Sequence, residues 1–117
     1  MEHKLVDHKG TKVVFLKEEL GDYELDDLPP NTVLAVIYYE EGDYCGSGNM
    51  ISVHESGKIF LNSLSHCSCY GPMHDLNFTY GWYEHLWDII TSDQYGEELE
   101  PIFSWFRKAG KLSCEKN

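Results

Sequence analysis

Thr32 to Tyr39, TVLAVIYY, contains no charge, glycine or proline, and it restricts the possible folds more than any other stretch of the chain. A strand with one wet face alternates apolar and polar residues, whereas here, after Thr32, both alternating sets are apolar or aromatic. The run therefore predicts a central strand, about residues 33–39, buried on both faces.

The remaining patterning is arranged around that strand. Lys12 to Leu16, KVVFL, is a β-branched run that predicts a short strand over about 12–16. The acidic stretch from Lys17 to Asp27 has too few periodic apolar residues for a helix, and Pro29, Pro30 and Asn31 break the chain after it. Glu40 to Gly48, EEGDYCGSG, holds three glycines and reads as a loop that can adopt positive φ or let backbone approach another group. Met50 to Val53 and Ile59 to Leu61 flank HESGK, which predicts a hairpin with strands near 49–54 and 58–63 and its turn at Ser56 and Gly57. Beyond Asp75 the period changes. Trp82, Leu86, Ile89 and Ile90 predict a helix over about 82–92, and Leu99, Ile102, Phe103 and Phe106 predict another over about 99–109. Pro101 suits the first turn of the second helix, and Arg107, Lys108 and Gly110 suit its end. Strands first and helices last predict an α+β domain: a small antiparallel sheet with both C-terminal helices packed on one face.

At 117 residues the chain is long enough for one core, so a single domain over 1–117 is expected. Hydrophobic residues at 42% and aromatics at 14% are too many for a disordered chain, despite a formal charge of -11. Twenty acids against nine bases produce a field that repels phosphate backbones and anionic lipid, which argues against direct nucleic-acid or membrane binding. The same field favours a basic protein surface, including one that normally holds DNA or RNA. The opening MEHKLVDHKG lacks the apolar run of a signal peptide, and no apolar run is long enough to span a bilayer, so a cytoplasmic protein is expected. In that compartment Cys45, Cys67, Cys69 and Cys114 are expected as thiols or metal ligands, not disulfides.

SHCSCYG, residues 65–71, concentrates the potential chemistry. Thiolate and imidazole are preferred zinc ligands, and His66, Cys67 and Cys69 would supply three, with Cys45, His54 or His74 as the fourth. Side chains alternate along a strand, so the group converges only if the chain turns here, as Gly71 and Pro72 allow. The paired CxxC arrangement of common zinc sites is missing. Cys67 and Cys69 could close only a small strained disulfide, and His66 is a poor base for an adjacent cysteine because neighbouring side chains diverge. Buried cysteines filling a sheet corner are the plain structural alternative. No catalytic residue can be assigned. EGDYCGSGN lacks the lysine of a phosphate-binding loop, leaving a nucleotide-like small-ligand site as a further alternative.

For partner binding, the acidic segments supply Glu18, Glu19, Asp22, Glu24, Asp26 and Asp27, then Glu97, Glu98 and Glu100. Tyr83 and Trp87, opposite Trp82 on the first predicted helix, are aromatic contact candidates because such residues are enriched at interfaces.

From Tyr44 to Gly71 the chain resembles a group of small uncharacterised proteins of phage and prophage genomes. The resemblance rests on Tyr44 and Gly46, the turn Gly57–Lys58, Asn62, the run HCSCYG from His66 to Gly71, and Trp82 followed by Glu84. Cys45 and Cys114 lie outside that pattern. The resemblance implies no reaction and no required cofactor. Together with the acidity it implies a non-enzymatic protein of the host cytoplasm that binds and modulates or inhibits a host protein, by analogy with small acidic phage inhibitors.

Overall fold

In the computed structural model, residues 4–41, 46–66, 79–82 and 99–109 are described, with the backbone alone for 22, 23, 41, 65, 66, 79–82 and 109. Strands are β1 (Lys4–His8), β2 (Thr11–Phe15), β3 (Thr32–Glu41), β4 (Gly46–His54), β5 (Lys58–His66) and β6 (Thr79–Trp82). Helices are α1 (Asp22–Leu25) and α2 (Glu100–Ala109). The strands form one sheet in sequence order, β1-β2-β3-β4-β5-β6.

This arrangement corrects the expected antiparallel sheet. β2 and β3 pair in parallel, Val13 with Ala35 and Phe15 with Ile37, while the other neighbouring pairs are antiparallel. Parallel neighbours require a crossover. The acidic segment between Leu16 and Thr32 provides it, with α1 as a single helical turn in which Leu25 N–H donates to the Gly21 carbonyl at 3.1 Å. The TVLAVIYY strand and the hairpin strands form at their predicted places but run longer, and the KVVFL strand is shifted by one residue to end at Phe15.

Three further expectations change. β1 was not anticipated: it folds back on β2 through Lys9 and Gly10, whose φ values of 53° and 93° are those of a two-residue type I′ turn. The 40–48 segment is not wholly a loop, because Glu40 and Glu41 extend β3 and Gly46 to Gly48 begin β4. The predicted helix 82–92 fails at its start, since Trp82 ends β6; residues 83–92 lie outside the described residues.

The correction extends to the layers. Along β3, Leu34, Val36 and Tyr38 face one side, where Val14, Leu16, Ile51, Val53 and Ile59 pack with Leu99, Ile102, Phe103 and Phe106 from the α2 segment. The spacing of those last four, i, i+3, i+4 and i+7, puts them on one helical stripe, each burial stabilising by about 2 kcal/mol. Ala35, Ile37 and Tyr39 face the other side with Val13, Phe15, Met50 and Leu64, covered by Leu20, Leu25 and Leu28 of the crossover. β3 is therefore buried from both sides by different chain segments, not by two C-terminal helices on one face. The described residues are mostly strand.

Candidate functional site

The crossover carries most of the predicted acidic surface, and its placement decides which carboxylates are available. Glu19 is exposed and paired with Lys4 of β1 at 3.0 Å. Asp26, beyond α1, meets the tip of the β1–β2 hairpin: its Oδ1 accepts from Lys9 Nζ at 2.9 Å and from His8 Nε2 at 2.8 Å. The bond from Lys9, then that from His8, hold its carboxyl below the ordinary value. Glu18 and Glu24 are half-buried and Asp27 is exposed, while Asp22 is placed by its backbone within α1. Among the described residues, Glu24 and Asp27 have no cationic partner.

The C-terminal acidic group is only partly described. Glu100 opens α2 and pairs with Arg107 in its last turn, an acid and a base each at the helix end its charge favours. Glu97, Glu98, Tyr83 and Trp87 lie outside the described residues.

Sequence reading missed the ties that seat the crossover. Thr11 Oγ1 donates to the Thr32 carbonyl and Thr32 Oγ1 to the Pro29 carbonyl, both at 2.6 Å. Asn31, with φ of 64°, presents its carbonyl to Glu55 N–H at 2.9 Å, linking the crossover to the β4–β5 turn. In that turn His54 Nδ1 accepts from Ser56 N–H at 3.0 Å and lies 2.8 Å from Ser56 Oγ. This is a local turn bond between residues two apart, which suffices to explain the geometry without a nucleophile. Lys17 Nζ, 3.0 Å from Glu40 Oε2, is raised above its ordinary value by that bond and charge. Only the turn residues and the side-chain types capable of local bonding were available as sequence signals for these contacts.

For the metal candidates, β5 ends at His66, placed by its backbone, while Cys45, Cys67 and Cys69 lie outside the described residues. Among the described residues no three His, Cys, Asp or Glu side chains gather as a metal site. The β4–β5 ladder ends with Gly46 opposite His66. The register brings to one end of the sheet the segments that lead, in sequence, to Cys45 and to Cys67. Gly46 and Gly48, part of the motivation for a small-ligand loop, instead accommodate Tyr39 and the β3 backbone.

Among the described residues no helix is long and apolar enough to cross a membrane. Comparison with protein-family models, with curated proteins and with solved structures finds no match.

Proposed function

We propose that this is a non-enzymatic binding protein whose acidic crossover engages a basic surface on another protein, of the kind that nucleic acid otherwise occupies. One observation carries the reading. The crossover from Lys17 to Asn31 holds six acids and one lysine, and the hairpin supplies cations to Glu19 and Asp26. Glu24 and Asp27 remain to present negative charge from a segment fixed to the sheet. Complementary charge of this kind speeds association and selects partners, and it disfavours a phosphate backbone as direct ligand. The phage resemblance makes a host-cell protein the natural partner and modulation or inhibition the natural outcome.

Capture from a bacterial lysate tests this with wild-type protein and Glu24→Lys/Asp27→Lys, washed at low and at molar salt. The reading expects a basic partner held by the wild type at low salt and lost with either change. A partner retained equally under all four conditions sinks it.

The ladder end favours a second reading, a zinc site drawn from His66, Cys67, Cys69 and Cys45. A structural zinc site takes four such donors, and the β4–β5 register unites two segments that the sequence separates by twenty residues. Protein purified without added metal decides it: under about a tenth of an equivalent of zinc would end this reading. No observation favours the nucleotide-like alternative.

A further inference from the structure

Two buried polar side chains, one on β4 and one on β5, lie on the crossover-covered face of the sheet. Ser52 on β4 is fully buried and Asn62 on β5 is 4% exposed. The register pairs Met50 with Asn62 and Ser52 with Phe60, so Ser52 and Asn62 are diagonal neighbours on the same face, about 7–8 Å apart at their Cα atoms. The residue opposite Ser52 on β3 is Ala35, also fully buried, which keeps this part of the face low beside Ile37, Met50 and Leu64. Neither Ser52 Oγ nor Asn62 Oδ1 has a hydrogen-bond partner among the described residues.

Buried polar atoms are overwhelmingly paired, and where protein supplies no partner an internal water commonly does. The chemistry of this pair is specific. Asn62 Oδ1 can only accept, whereas the Ser52 hydroxyl can donate one bond and accept others. A single water can donate one hydrogen to Oδ1 and accept the Ser52 hydroxyl proton, while its second hydrogen remains for another acceptor. A site lined by apolar groups alone stays dry, whereas two polar atoms on one face offer a water the partners it needs. We propose that Ser52 and Asn62 form an internal water-binding site between β4 and β5, on the face opposite α2.

A high-resolution crystal structure, combined with water-selective NMR of the Asn62 side-chain amide, tests the proposal. The expected result is one ordered water within hydrogen-bonding distance of both Ser52 Oγ and Asn62 Oδ1, with a long-lived water contact that Ser52→Ala weakens. A direct bond from either atom to a protein group with no water present overturns it. The stability cycle adds an independent reading. Ser52→Ala and Asn62→Leu each lower the urea midpoint, and the double variant recovers part of the combined loss because no polar atom is then left unpaired. Strict additivity in the cycle counts against the site.

Discussion

Gly48 lies directly across the β3–β4 ladder from Tyr39, and a Cβ built on it would fall 2.8 Å from the Tyr39 Cα and overlap the Tyr38 carbonyl. Two strands approach here more closely than any side chain at 48 permits. Gly46 plays a different part: its added Cβ would overlap the Tyr39 hydroxyl and lie 2.6 Å from Cζ, so the obstacle there is a buried ring. Gly48→Ala is expected to destabilise the protein by about 1–3 kcal/mol or more, the usual cost of overpacking. Tyr39→Phe should not rescue it, because the clash is with backbone. Gly46→Ala should instead couple to Tyr39→Phe, with the double variant less unstable than the sum of the two. Urea midpoints of the three single and two double variants measure both statements.

Asp26 predicts an acid-sensitive attachment of the crossover. Its ordinary carboxyl value is 3.8, and the Lys9 and His8 contacts lower it in the folded protein. The folded state therefore binds this proton more weakly than the unfolded chain does. Stability from the contact is complete above 3.8 and is lost as the pH falls through the lower folded-state value. Asp26→Asn should remove that part of the pH dependence and leave stability insensitive to it in the same window. NMR titration of the Asp26 carboxyl and urea unfolding below pH 5 check the prediction. A titration at or above the ordinary value would contradict the assigned contacts.

The parts of the fold visible in the sequence were those that repeat a pattern for long enough. Seven consecutive apolar or aromatic residues, Val33 to Tyr39, mark β3, and Leu99, Ile102, Phe103 and Phe106 cover two helical turns, so period and burial agree in both places. β6 has only four residues, two to each side, too few for alternation to compete with the helical spacing of Trp82, Leu86, Ile89 and Ile90. The parallel pairing of β2 with β3 left no local trace, because direction depends on where the crossover packs. Its apolar anchors Leu20, Leu25 and Leu28 follow neither a strand nor a helix period. The candidate site was legible as charge but not as availability: sequence identifies Glu19 and Asp26 as acids, and only the fold brings Lys4, Lys9 and His8 to them.

Because different segments cover the two faces, their contributions should be nearly independent. Leu25 belongs to the cluster that holds Phe15, Ile37 and Met50, whereas Phe106 belongs to the one that holds Val36, Ile51 and Ile59 on the other side of the sheet. Phe106→Ala should cost about 3–5 kcal/mol and Leu25→Ala about 2–5 kcal/mol, as expected for emptying a buried side chain's place. With no shared partners, the two losses should add to within about 0.5 kcal/mol. Calorimetry or urea unfolding of the single and double variants decides it, on a background stabilised by osmolyte if the double variant is too unstable alone. A large interaction energy would mean that α2 and the crossover share a layer, contrary to the packing described.

The hairpin joining β1 to β2 offers a test in which the cost is conformational alone. Gly10 has φ of 93°, and an added Cβ there would meet nothing within 4 Å. Space is thus available, but an L-residue is held in a region where its own Cβ crowds the backbone. Gly10→Ala should destabilise by about 1–2 kcal/mol for that reason. The mirror-image residue separates this cause from any other: D-alanine at position 10, introduced by semisynthesis, prefers positive φ and restricts the unfolded chain more than glycine does. It should match or exceed the stability of the glycine protein by up to about 1 kcal/mol. If L- and D-alanine proved equally destabilising, the two-residue type I′ turn would not describe this hairpin, and the positions of Lys9 and His8 against Asp26 would need another origin.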